Sequence, residues 1–132
     1  MSENATSTAN RNFPKAKRLL KHGDFQRVYE NGRRQFTGNM TVFYLRRDDT
    51  GPAGPRVGLT VSKALGESVV RNRIRRRMRE AVRLSYECCG GPVDVVFNPR
   101  KSVTGLPFDR LVDEVSRGLR LAAQKARVTE KT

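Results

Sequence analysis

Seven arginines crowd the stretch RNRIRRRMREAVR, at positions 71, 73, 75, 76, 77, 79 and 83, and a single acid, Glu80, opposes them. On a helix, Ile74, Met78, Ala81 and Val82 share an apolar arc of about 100°, while Asn72, Arg76, Arg79 and Arg83 take the opposite side and Arg71, Arg73, Arg75 and Arg77 flank the seam. Like charges at i,i+4 (Arg71 with Arg75, Arg75 with Arg79, Arg79 with Arg83) each cost an isolated helix about 0.2–0.5 kcal/mol. Guanidinium groups, more than ammonium groups, suit bidentate phosphate contacts and stacking on bases. The segment therefore reads as a surface for a polyanion. The plain alternative is a solvated face of snorkelling stems, yet a face kept for solubility would mix signs. A basic amphipathic helix can also lie on a membrane, but this arc lacks the Trp, Phe or several Leu that would anchor it.

Groups able to break bonds are sparse. A protein nuclease needs a histidine pair, or a carboxylate cluster holding two metals about 4 Å apart. His22 is the single histidine and reads as a solvated neighbour of a helix start. Asp48 and Asp49 fall in a turn, and Asp109, Asp113 and Glu114 follow helical spacing near the start of the last helix, where the macrodipole favours them. Cys88 and Cys89 are adjacent, a spacing that rarely reaches disulfide geometry. With one histidine they make no standard four-ligand zinc centre, so they read as small buried hydrophobes in a reduced compartment. No catalytic residue and no metal ligand is expected in this chain.

Bulk properties agree. The chain has 132 residues, 27 Lys plus Arg against 13 Asp plus Glu, and a net charge of +14. Such an excess repels itself in a compact state unless a polyanion takes it up. Apolar residues make up 36%, enough for one small core and one domain. There is no run of 18 apolar residues, and the N-terminus has neither a basic nor an apolar targeting region. A cytoplasmic protein with no membrane partner is expected.

The elements that must position the arginines follow from periodicity. Residues 1–12 and 125–132 read as flexible polar tails around a domain at 13–124. Leu20, Phe25, Val28 and Tyr29 lie at helical intervals, with Asp24 as the expected cap and Asn31-Gly32 as the stop. Between 33 and 47, Met40, Val42 and Tyr44 alternate with Thr41, Phe43 and Leu45, so one strand face meets the core and the other is open to a ligand. This strand is long enough to bend or split. The turn-rich segment 48–55 leads to Val57, Leu59 and Val61 at period two, which predicts an antiparallel hairpin. A helix over 71–87, a strand over 92–98 ended by Pro99, and an amphipathic helix marked by Phe108, Leu111, Val112, Val115, Leu119 and Ala122 complete an α-β-β-α-β-α order. The fold class is α+β, a small single-domain sandwich with a sheet packed by helices.

With these elements in place, the sequence resembles the protein subunit of bacterial ribonuclease P. The resemblance rests on RLLKHGDFQRVYENG (18–32), on VGLTVSKALGESVVRNRIRRRMREA (57–81) with Arg71-Asn72-Arg73 opening the arginine helix, and on the strand VDVVFNPRK (93–101). It implies a left-handed βαβ crossover, against the usual right-handed rule. It implies that Arg71, Asn72, Arg73, Arg75, Arg76 and Arg79 contact a catalytic RNA subunit. It also implies a cleft between the first helix and the sheet that takes the single-stranded 5′ leader of precursor tRNA, with Phe25, Tyr29 and Phe43 as aromatic positions and Lys63 on a basic wall. By spacing alone, Phe25 and Tyr29 at i,i+4 read as ordinary core packing. Ala64 stands where members often carry a second Lys, and Tyr29 where Phe is frequent.

The activity so implied is endonucleolytic removal of the leader, with Mg²⁺ held mainly by the RNA subunit, which does the chemistry. The RNA subunit and precursor tRNA are the implied partners, and no obligate protein partner is expected. A structural RNA-binding protein such as a ribosomal protein would share the charge and tails without needing a leader cleft. A DNA-binding regulator reading a major groove with 71–83 is a further alternative, but no apolar dimerisation surface is evident.

Overall fold

The computed structural model describes residues 17–19, 21–47, 54–88 and 90–131, with side chains described through Ala126 except at Cys88. Its elements are α1 (His22–Asn31), β1 (Arg33–Phe36), β2 (Met40–Arg46), β3 (Arg56–Leu59), α2 (Ser68–Ser85), β4 (Val93–Pro99) and α3 (Phe108–Lys131), with short 3-10 turns at Lys63–Leu65, Tyr86–Cys88 and Lys101–Gly105. The expected order holds, and the first strand does split, into β1 and β2. The N-terminal tail, Leu20, the acids of the 48–53 turn and Cys89 lie outside the described residues.

The four strands form one sheet in the order β1-β2-β4-β3. The β1–β2 and β2–β4 pairs are antiparallel, and β3 runs parallel to β4. This corrects the expected hairpin between the second strand and 57–61, because β4 inserts between them. Alternation tells a strand which residues share a face but not which strand lies beside it. The parallel β3–β4 pair is joined through α2, so the arginine helix is the crossover of a βαβ unit.

The sheet is covered on both sides, as its hydrophobicity requires. On one face Met40, Val42, Tyr44, Val57, Val93, Val95 and Phe97 pack against Ile74, Met78, Ala81 and Val82 of α2 and Leu111, Val115, Leu119 and Ala122 of α3. The stripe of α2 read from the sequence is the buried stripe. Gly118 lets α3 come down onto the sheet, since a Cβ there would stand 3.2 Å from both Phe97 and Val42. α3 continues past the expected boundary at 124 to Lys131, and Ala126 is still buried.

On the other face Val96 is buried with Leu19 and Val28 of the α1 region. The backbone at Arg18 bridges Val57 in parallel, and the Leu19 amide donates to the Val57 carbonyl at 2.9 Å. The chain is thus clipped to the outer side of β3 before it turns into α1. Asp24 is not the cap expected. The cap position is Lys21, with no side-chain bond, and Asp24 lies within the first turn, where it pairs with Arg27 at 2.7 Å and Arg56 at 3.6 Å. Gly32 does end the helix: its amide donates to the Val28 carbonyl at 2.9 Å, and only glycine fits, since a Cβ there would lie 2.5 Å from the carbonyl oxygens of Val28 and Tyr44.

Two buried acids hold the frame. Asp94, the second residue of β4, accepts from Arg47 Nη1 at 3.0 Å and from Arg56 Nε and Nη2 at 2.9 and 2.8 Å. Glu114 reaches from α3 to the turn between β1 and β2, where it accepts from the Asn39 amide at 2.6 Å, from Asn39 Nδ2 at 2.8 Å and from the Thr37 hydroxyl. Burial pushes the Glu114 carboxyl up, but the Asn39 and Thr37 bonds, with the Arg117 charge, together hold it below the ordinary range. For Glu114 the macrodipole reading is therefore replaced by a clamp on the hairpin turn, whereas Asp109 does lie in the first turn of α3.

Candidate nucleic-acid interface

α2 presents its cations as the sequence predicts, with two exceptions. Asn72, Arg73, Arg76 and Arg79 are exposed, and Arg71 and Arg75 are partly so. Arg75 Nη1 donates to Asn72 Oδ1 at 2.7 Å, which holds that guanidinium along the first turns of the helix. Arg77 instead folds back: it donates to the Thr104 carbonyl at 3.3 Å and to the Leu106 carbonyl, and its guanidinium lies 5.9 Å from the Phe108 ring. Arg83 is paired with Glu80 at 2.5 Å. Two of the seven arginines are thus tied to carbonyls or an acid within the protein, while Arg71, Arg73, Arg75, Arg76 and Arg79 stay at least partly exposed. No helix among the described residues is long and apolar enough to cross a membrane.

The second surface is the groove between α1 and its sheet face. Residues directly opposite on paired strands point to the same side, so Arg34, Phe43, Val96 and Gly58 form one row across the sheet, and Phe36, Thr41 and Asn98 form the next. Phe25 lies on Gly58, where any Cβ would come within 2.6 Å of the Phe25 ring. The Tyr29 and Phe43 rings meet edge to face with centroids 4.8 Å apart. The Tyr29 hydroxyl bonds Thr60 Oγ1 at 2.7 Å and donates to Asn98 Oδ1 at 3.2 Å. Phe25 and Phe43 are partly buried, whereas Tyr29 is 38% exposed. Lys63 is exposed in the turn three residues beyond Thr60.

A model of the Ribonuclease P family matches residues 13–123. The chain belongs to the ribonuclease P family. The chain is 43% identical over 110 residues to the Ribonuclease P protein component of Gluconacetobacter diazotrophicus, covering 82% of this chain and 92% of that one. With its counterpart in Ruegeria pomeroyi the identity is 44% over 104 residues, or 77% and 82% of the two chains. Among solved structures, a mutant RNase P protein of Staphylococcus aureus superposes with a TM-score of 0.71 at 27% identity, covering 82% and 89%. The RNase P protein of Thermotoga maritima does so at 0.68 with 21% identity, covering 78% and 94%, and shares the fold.

In this chain the three expected aromatics sit on one side of the sheet, and Tyr29 and Phe43 are in direct contact. The expected core reading of Phe25 and Tyr29 holds in part: their helix packs on Val96, yet Tyr29 keeps an open edge. Thr60, Asn98 and Gly58 belong to the groove and were not singled out from the sequence. A polar Asn98 in an otherwise apolar strand, VDVVFN, was the available signal. Among the described residues no three His, Cys, Asp or Glu side chains form a group able to hold a metal ion. The two buried acids are committed to arginines and to the hairpin turn.

Proposed function

We propose that this protein is the protein subunit of a ribonuclease P ribonucleoprotein, which removes the 5′ leader of precursor tRNA in the cytoplasm. Arg71, Asn72, Arg73, Arg75, Arg76 and Arg79 bind the catalytic RNA, and Phe25, Tyr29, Phe43 and Lys63 bind the leader. Hydrolysis of one phosphodiester, leaving a 5′-phosphate on the mature tRNA, belongs to the RNA subunit. The Mg²⁺ that such a reaction uses would be held mainly there, since the acids described in this chain offer it no cluster. The observation that carries this reading is the pairing, on one small domain, of a cation-covered helix with a separate, partly open aromatic groove.

The division of labour follows from the physics of each surface. Exposed guanidiniums screen repulsion between two RNAs and track phosphate positions without reading bases. Aromatic faces stack on unpaired bases with little sequence preference, which suits a subunit that meets many different leaders. Gripping only the leader makes substrate bind better than product.

Replacing Phe43 with Ala removes one side of the Tyr29–Phe43 pair. The reconstituted holoenzyme is expected to lose about 1–3 kcal/mol of precursor affinity, with mature tRNA affinity unchanged. Titration of both RNAs checks this, and equal losses for the two would remove leader binding from the groove.

A further inference from the structure

Phe36 is the most exposed aromatic among the described residues, at 63%, and it ends the edge strand β1. Two cations flank it: the Arg34 guanidinium lies 5.7 Å from its ring centroid and that of Arg100 lies 5.8 Å away. An apolar ring left in water on a strand edge gains nothing for the fold from its exposure, and Gln35 beside it supplies the inward contact of β1 through a bond to the Gly118 carbonyl at 3.4 Å.

Its position is set firmly. The turn that follows Phe36 is held by Glu114 through Thr37 and Asn39. The Arg100 amide donates to the Asn39 carbonyl at 2.8 Å, and Arg100 Nη1 reaches the Gly38 carbonyl at 3.4 Å. Ring and cations are therefore carried on one rigid corner. That corner faces the groove side of the sheet, because Phe36 pairs with Thr41, and Thr41 with Asn98, the acceptor of the Tyr29 hydroxyl. Two strand spacings of about 4.8 Å separate Phe36 from Asn98 along that row.

We propose that Phe36, with Arg34 and Arg100, is a second stacking position, at which a further unpaired nucleotide of the precursor tRNA leader lies on the β1 edge of the sheet. The base stacks on the Phe36 ring and the guanidiniums meet the phosphates on either side. An exposed aromatic ring with cations beside it that can turn to phosphates is the combination that binds single strands without sequence preference. The inference rests on the leader groove proposed above and extends it from the α1 side to the opposite edge of the sheet.

The chain contains no tryptophan, so Phe36→Trp places a sole reporter at the corner. In the holoenzyme, its fluorescence is expected to quench on adding precursor tRNA with a long leader and to stay unchanged with mature tRNA. Phe36→Ala is expected to weaken long-leader precursor binding by about 5- to 10-fold, with a single-nucleotide leader unaffected. Phe43→Ala serves as the companion variant. If Phe43→Ala weakens precursor binding while Phe36→Ala and the Trp signal do not respond, the β1 position is overturned and the groove stands. If neither variant responds, both are overturned. Quenching by the RNA subunit alone, with no further change on precursor binding, would assign Phe36 to that RNA and likewise overturn the proposal.

Discussion

Raising the salt from 50 to 200 mM is expected to weaken the complex of this protein with its RNA subunit by about 500-fold through α2 alone. The figure comes from five arginines, since Arg77 is tied to the Thr104 and Leu106 carbonyls and Arg83 to Glu80. Five neutralised phosphates give a log–log slope of about −4.5 on the DNA-calibrated scale. If Lys63, Arg34 and Arg100 also met phosphate, eight contacts would steepen the slope to about −7 and the loss to about 2 × 10⁴. A salt titration of binding reads the slope directly. With the RNA subunit alone the slope near −4.5 is expected, and it should steepen when a leader-bearing precursor is bound as well. A flat response would remove the arginine helix as the source of affinity.

Replacing Asp94 with Ala is expected to destabilise the fold by about 3–5 kcal/mol, the range for breaking a buried ion pair by removing one partner. Its side chain is 0% exposed and that of Arg47 only 3%, so the guanidinium left behind has little access to water. Arg56, 20% exposed, also loses its two bonds. The loss runs across the frame: Arg47 Nη2 bonds the Gly54 carbonyl at 2.9 Å, and Arg56 opens β3. The midpoint of chemical denaturation measures the effect. Arg79→Ala should leave that midpoint within about 0.5 kcal/mol, as for a surface site, while weakening RNA binding. A protein whose stability is indifferent to Asp94 would not be held by this charge cluster.

These two predictions also mark what the amino-acid order reveals. The buried stripe of α2 and the alternation of β2 were legible because each is a local period with one face in oil and one in water. The arginine helix was legible as a cationic surface because its apolar stripe and its seven arginines are both local features of 71–83. The neighbour of β3 was not, since strand order depends on contacts distant in sequence. Asp94 was passed over for a related reason: an acid inside VDVVFN carries no sign of the arginines, at 47 and 56, that will neutralise it. Arg77 shows the converse limit. Its residue type matches the exposed arginines around it, and only the path of the chain after β4 brings the Thr104 and Leu106 carbonyls to it. For the groove, Phe43 could be assigned to the outer face by parity with Val42 and Tyr44, whereas Gly58 gains meaning only once Phe25 lies on it.

The central claim is that this chain supplies grip and charge while its RNA partner supplies the chemistry. The direct test is to incubate the purified, RNA-free protein with precursor tRNA and magnesium, and to repeat the incubation with the RNA subunit added. The account predicts no product at the mature 5′ end in the first case and correct cleavage in the second. Cleavage at that position by the protein alone would contradict it.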